Sequence, residues 1–177
     1  MKINKITTLA MFTTLALIIF TIENAIPALL PIPGIKLGLA NIITLAVLHN
    51  YGTKDALIVL LMRIFLATFF YGQALSLLYS LAGGLLCIIA MSLIHKMLQG
   101  HFLFLISIVG ALFHNIGQLF VAYLITEVPG VLVYLPFLLL SGILTGLFTG
   151  LCTQLTQRYL MPAIAALPFS VKPDGDN

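Results

Sequence analysis

The chain has 177 residues, of which 61% are hydrophobic and 7% charged, with a formal net charge of +3. A mean hydropathy of +1.16 excludes a soluble domain, which carries about 25% charged residues, and leaves an integral membrane protein. The small basic excess forms no patch, so it reflects membrane topology rather than nucleic-acid binding.

Six apolar segments are expected, giving an all-α bundle of six transmembrane helices. The first runs from about Ile6 to Leu30, long enough to span a bilayer with some tilt. Lys2 and Lys5 precede it, but without a clear small-residue cleavage site the run reads as a retained helix, not a signal peptide. It ends in the one long interruption of the apolar pattern, Pro31-Ile32-Pro33-Gly34-Ile35-Lys36-Leu37-Gly38-Leu39-Ala40-Asn41. Two prolines and a glycine cannot continue a helix. The stretch is therefore either a plain turn or irregular backbone satisfied by protein or a water-filled cavity.

The second segment (about Leu37 to Asn50) and the third (about Asp55 to Tyr71) are short against the roughly 20 residues a spanning helix needs. Tyr51-Gly52-Thr53-Lys54 separates them. The fourth, fifth and sixth run from about Gln73 to Met97, Phe102 to Thr126 and Val131 to Tyr159. Residues 1–160 thus form one transmembrane domain, and 161–177 a proline-rich tail expected to be mobile and cytoplasmic. With the amino terminus in the cytoplasm, Lys2, Lys5, Lys54, Lys96, Arg158 and Lys172 all fall inside. Lys36 alone falls in an outer loop, so both termini are expected to be cytoplasmic and the Pro31–Asn41 stretch to face the exterior.

Few polar residues interrupt the helices. Glu23 lies near the outer end of the first and Arg63 near the middle of the third. An ionisable group there costs at least a few kcal/mol and usually faces the bundle interior or water with a partner. The two are candidates to pair; the alternative is that Arg63 snorkels or locks two helices together. On the fifth helix, His114-Asn115-Ile116-Gly117-Gln118 places three hydrogen-bonding side chains on one face. They suit a polar cavity or an interhelical network. Gly142, Gly146 and Gly150 make a smooth stripe on the sixth helix, and Ala10 and Thr14 a shorter one on the first. Such stripes serve helix packing or docking of a partner membrane protein. Gly83-Gly84 lets another backbone approach.

Several chemistries are set aside. There is no P-loop and no cluster with metal-ligand spacing. Asp55, Asp174 and Asp176 are the only aspartates, so the aspartate-rich seat of a prenyl transferase is missing. Cys87 and Cys152 read as small core residues. No catalytic residue, metal or cofactor is assigned.

The succession Pro33-Gly34-Ile35-Lys36-Leu37-Gly38-Leu39-Ala40-Asn41, then Arg63, then Tyr79-Ser80-Leu81-Ala82-Gly83-Gly84-Leu85, then His114-Asn115-Ile116-Gly117-Gln118 resembles the Gx transporter family. That family is also labelled heptaprenyl diphosphate synthase component I, and it resembles the S components of energy-coupling factor (ECF) transporters. The resemblance covers about Ile6 to Leu155. It implies a six-helix fold with a small-molecule pocket near the outer surface, a separate membrane coupling protein and a pair of ATPases. The small-residue stripe the family uses on its first helix for docking is reduced here to Ala10 and Thr14.

Two function classes stand. In the first, the chain is the substrate-binding subunit of an uptake system in a bacterial cytoplasmic membrane. Lys36, Asn41, Arg63, His114, Asn115 and Gln118 then line the pocket, Glu23 orients a cation, and the ligand is vitamin-like or anionic. In the second, it is a noncatalytic membrane component of a polyprenyl diphosphate synthase, holding a partner enzyme or its lipid product. The transport reading leads, because aspartate-rich chemistry and a soluble docking surface are both missing from the sequence.

Overall fold

The computed structural model describes residues 3–25, 38–71 and 74–160. Among these the chain is entirely helical: α1 (Ile3–Ala25), α2 (Asn41–Tyr51), α3 (Thr53–Tyr71), α4 (Ala74–Met97), α5 (Leu103–Thr126) and α6 (Leu135–Leu155). A 3-10 turn at Pro129–Tyr134 leads into α6, and a π-helical turn at Thr156–Leu160 follows it. Long apolar runs without internal proline allow uninterrupted helices, and α6 takes its proline in the first turn, where no backbone hydrogen bond is lost. The tail from 161 and most of the Pro31–Asn41 interruption, Lys36 included, lie outside the described residues.

Four stretches, Lys5–Glu23, Leu75–Met97, Leu103–Thr126 and Pro129–Tyr159, are long and apolar enough to cross a membrane. Their outer faces expose large apolar side chains such as Met11, Ile89, Phe120 and Leu144. Water would not tolerate so continuous an apolar surface, whereas lipid does. The second and third segments differ. At 11 residues, α2 is about 16 Å long and cannot cross a hydrocarbon core of about 30 Å alone. At 19 residues, α3 carries Lys54, Asp55 and Arg63.

The turn between these two is tighter than the four-residue linker expected from the sequence. Tyr51 ends α2 and Thr53 begins α3, leaving Gly52 alone between them with φ at +86°. A side chain disfavours that left-handed backbone, and glycine adopts it freely. Five consecutive residues of α2, Thr44 to Leu48, are buried, so the helix is covered all round. It contacts α1, α3, α4 and α6. Leu45, Val47 and Leu48 form the core with Val59, Leu60, Met91 and Ile106.

Contacts fix the directions of the helices. Lys5 Nζ meets Asp55 Oδ2 at 2.8 Å near the starts of α1 and α3, and the rings of Phe20 and Tyr71 meet near their ends. These two helices therefore run parallel. His49 Nδ1 lies 3.2 Å from His95 Nε2, joining the ends of α2 and α4. Gly117 packs against Ala82, and Gly110 against Met91, so α4 and α5 are antiparallel. Gly142 packs against Ala111 and Gly150 against Phe104, so α6 returns antiparallel to α5. Both ends of the described helical chain consequently lie at the same end of the bundle.

The glycine stripe of α6 is thus helix packing within the fold. A β-carbon on Gly146 would lie 2.6 Å from the Ile108 α-carbon, so only glycine lets α5 and α6 approach this closely. Ala10 and Thr14, by contrast, stay exposed on α1, where the Thr14 hydroxyl donates to the Ala10 carbonyl at 2.9 Å.

Candidate functional site

Between the start of α2 and the Glu23 end of α1, with α3, α4, α5 and the first turns of α6 around them, lies a cavity of about 790 Å³. That is within the roughly 300–1,000 Å³ of small-molecule sites. Glu23, Asn41, Arg63, His114, Asn115 and Gln118 all line it. Five of the six pocket residues expected from the sequence, and the supporting carboxylate, therefore share one cavity; the sixth, Lys36, lies outside the described residues.

Glu23 is 7% exposed. Its Oε1 accepts the Gly38 backbone N–H at 2.5 Å, a charge-assisted bond of the strong kind. Gly38 adopts φ of +68° to present that N–H, and its carbonyl in turn accepts the Asn41 N–H at 2.9 Å. A carboxylate at the end of α1 thereby anchors the entry to α2. The direct ion pair expected between Glu23 and Arg63 is not formed: among the described residues the one ion pair is Lys5–Asp55. The Glu23 hydrogen bond goes to the backbone because the chain returning into α2 brings Gly38 closer than α3 brings Arg63.

Arg63 is also 7% exposed, and its Nε has no hydrogen-bond partner among the described residues. On α5 the three polar side chains have separate tasks. Asn115 Nδ2 donates to the Leu138 carbonyl at 2.6 Å, tying α5 to α6. Gln118 Oε1 is buried without a hydrogen-bond partner. His114 and Gln118 both lie against Gly83, where a β-carbon would come within 2.9 Å of each side chain. The small residue on α4 therefore makes room for the polar residues of α5.

Sequence reasoning missed much of the wall. Ser76, Tyr79 and Ser80 line the cavity from one face of α4, a three- and four-residue spacing that was there to be read. Phe20, Leu119 and Tyr134 supply apolar and aromatic surface, and nothing in their local sequence sets them apart from lipid-facing neighbours. Among the described residues the cavity thus combines a guanidinium, an engaged carboxylate, amides, hydroxyls and rings. Such a site can orient a small amphipathic molecule.

The family model described as heptaprenyl diphosphate synthase component I matches residues 12–156, and the chain belongs to that family. No curated protein and no solved structure matches it.

Proposed function

We propose that this member of the heptaprenyl diphosphate synthase component I family is the substrate-binding membrane subunit of an ECF-type uptake transporter. It captures a small vitamin-like or anionic metabolite at the outer face of a bacterial cytoplasmic membrane, with both termini cytoplasmic. The observation that carries this reading is the cavity itself, with Asn41, Arg63, His114, Asn115 and Gln118 on its wall and Glu23 beside the entry to α2. Buried polar groups are costly in a membrane protein, and a bound polar molecule gives one reason for all of them. Lys36, which precedes α2 in the sequence and lies outside the described residues, is the remaining pocket residue of this reading.

Uptake against a gradient needs an energy source, so the partners are a membrane coupling protein and ATPase subunits. Ala10 and Thr14, exposed on α1, are the proposed docking stripe for the coupling protein. The second reading rests on the family name, which makes the chain component I of a heptaprenyl diphosphate synthase and its partner another synthase component.

Affinity purification from native membranes separates the two readings. A coupling protein with ATPases supports transport; a soluble prenyl transferase in their place supports the synthase reading. The double variant Ala10→Leu, Thr14→Leu is expected to lose the coupling protein and ATP-dependent uptake while keeping its fold, because both positions are exposed. Uptake at the native rate by that variant removes the docking stripe.

A further inference from the structure

We propose that Ser76, Tyr79 and Ser80, on one face of α4, form the specificity wall of the cavity, and that they select an aromatic molecule carrying hydroxyl or carbonyl groups along one edge. This deepens, and rests on, the capture reading above.

A hydroxyl on an apolar helix commonly bonds back to its own helix. Thr13, Thr68, Thr149 and Thr156 do so here, each donating to the carbonyl four residues earlier at 2.8 or 2.9 Å. Ser76, Tyr79 and Ser80 make no side-chain hydrogen bond to another described residue. They are half-buried and line the cavity, and none of their oxygens is among the sealed, partnerless polar atoms of the described residues. Arg63 Nε and Gln118 Oε1 are sealed in that way, out of reach of a bound molecule. The three α4 hydroxyls stay open, and an open hydroxyl on a cavity wall bonds whatever fills the cavity.

Spacing gives this wall its shape. Positions 76, 79 and 80 share a helical face, and Ser76 and Ser80 stand about 6 Å apart along the axis of α4. A row so spaced suits polar groups strung along an edge rather than one compact headgroup. Phe20, Leu119, Ala122 and Tyr134 line the same space and supply the apolar and aromatic surface that receives a flat ring system. Hydroxyls both donate and accept without carrying charge. The wall therefore selects by hydrogen-bonding pattern, in addition to any ionic contact elsewhere in the pocket.

The test uses the full chain in detergent and two probes of one shape: 2,7-dihydroxynaphthalene, with both hydroxyls on one edge, and 2,7-dimethylnaphthalene. Detergent takes up the two unequally, so each variant is compared with the wild type on the same probe. The double variant Ser76→Ala, Ser80→Ala is expected to bind the diol about tenfold more weakly or worse, and Tyr79→Phe about fivefold more weakly, as loss of neutral hydrogen bonds does. The dimethyl probe is expected to bind every variant as it binds the wild type, with melting temperatures unchanged. Equal weakening of both probes would make these residues packing elements and overturn the inference, as would diol binding that the variants keep. Mass spectrometry of molecules released on denaturing protein purified from native membranes, wild type beside the double variant, separates this from failure of the capture reading. An oxygen-edged aromatic released by the wild type and lost from the double variant supports the wall, even if neither naphthalene binds. A released molecule of another kind, or one retained in full by the double variant, sinks the wall alone. No released molecule together with no binding of either probe sinks both.

Discussion

At the scale of single residues, the site depends on one atom that a helix does not carry. A β-carbon on Gly83 would lie 2.9 Å from Gln118 Cγ, His114 Nδ1 and the His114 carbonyl oxygen. The side chains could rotate away, but the carbonyl belongs to α5 and cannot move without it. Gly83→Ala is therefore expected to cost about 1–3 kcal/mol in thermal stability in detergent and to weaken ligand capture. Gly130→Ala is the control, since its β-carbon would meet nothing nearer than Val128 Cγ1 at 3.6 Å, and it is expected to leave both unchanged. Equal effects at the two positions would show that Gly83 has no special relation to the site. The polar cluster His114 to Gln118 was legible from its spacing alone. What each member does was not: Asn115 bonds a carbonyl 23 positions away on α6, and no local pattern names such a partner.

At the scale of elements, two glycines serve for different reasons, and substitutions tell them apart. Gly52 has nothing within 4 Å of a built β-carbon, but its φ of +86° strains any L side chain. Gly52→Ala is expected to cost about 1–2 kcal/mol through backbone strain without altering helix packing. Gly146 has helical backbone and no space, with Ile108 Cα at 2.6 Å and the Ser107 carbonyl at 3.0 Å from its β-carbon. Gly146→Leu must push α5 and α6 apart and break the 2.8 Å bond between the Ser107 and Thr149 hydroxyls beside it. It is expected to cost about 3 kcal/mol or more, the upper end for overpacking. Melting curves in detergent check both. A milder effect at Gly146 than at Gly52 would mean that the α5–α6 interface yields easily.

At the scale of the whole molecule, the helix directions place both ends of the described chain at one end of the bundle, and the cavity beside the opposite ends of α1 and α5. The basic residues Lys5, Lys54, Lys96 and Arg158 gather at the end that holds the chain ends. By the positive-inside bias, the orientation proposed above puts that end in the cytoplasm and turns the cavity outward. In a background with Cys87 and Cys152 replaced by alanine, Val128→Cys is expected to react with an impermeant thiol reagent applied to intact cells. Lys54→Cys is expected to react only after permeabilisation. Both positions are exposed, so burial cannot mask the contrast. The reverse pattern would place the cavity on the cytoplasmic side and remove outward capture.

Membrane class, the helical segments and most of their ends followed from the sequence alone. They depend on run length, proline position and turn residues, all of which act within a few residues of the chain. The same locality made Glu23, Arg63 and the α5 cluster stand out, because an ionisable or amide side chain in an apolar run is conspicuous wherever it points. Only the tertiary structure decided their partners. It turned the expected Glu23–Arg63 pair into a Glu23–Gly38 bond, the α6 glycine stripe into an internal seam against α5, and α2 into a short helix covered on every side. Each outcome depends on how far apart two distant segments come to rest. Backbone proximity of that kind is set by packing across the bundle, where a difference of a few ångströms decides which neighbour receives a hydrogen bond.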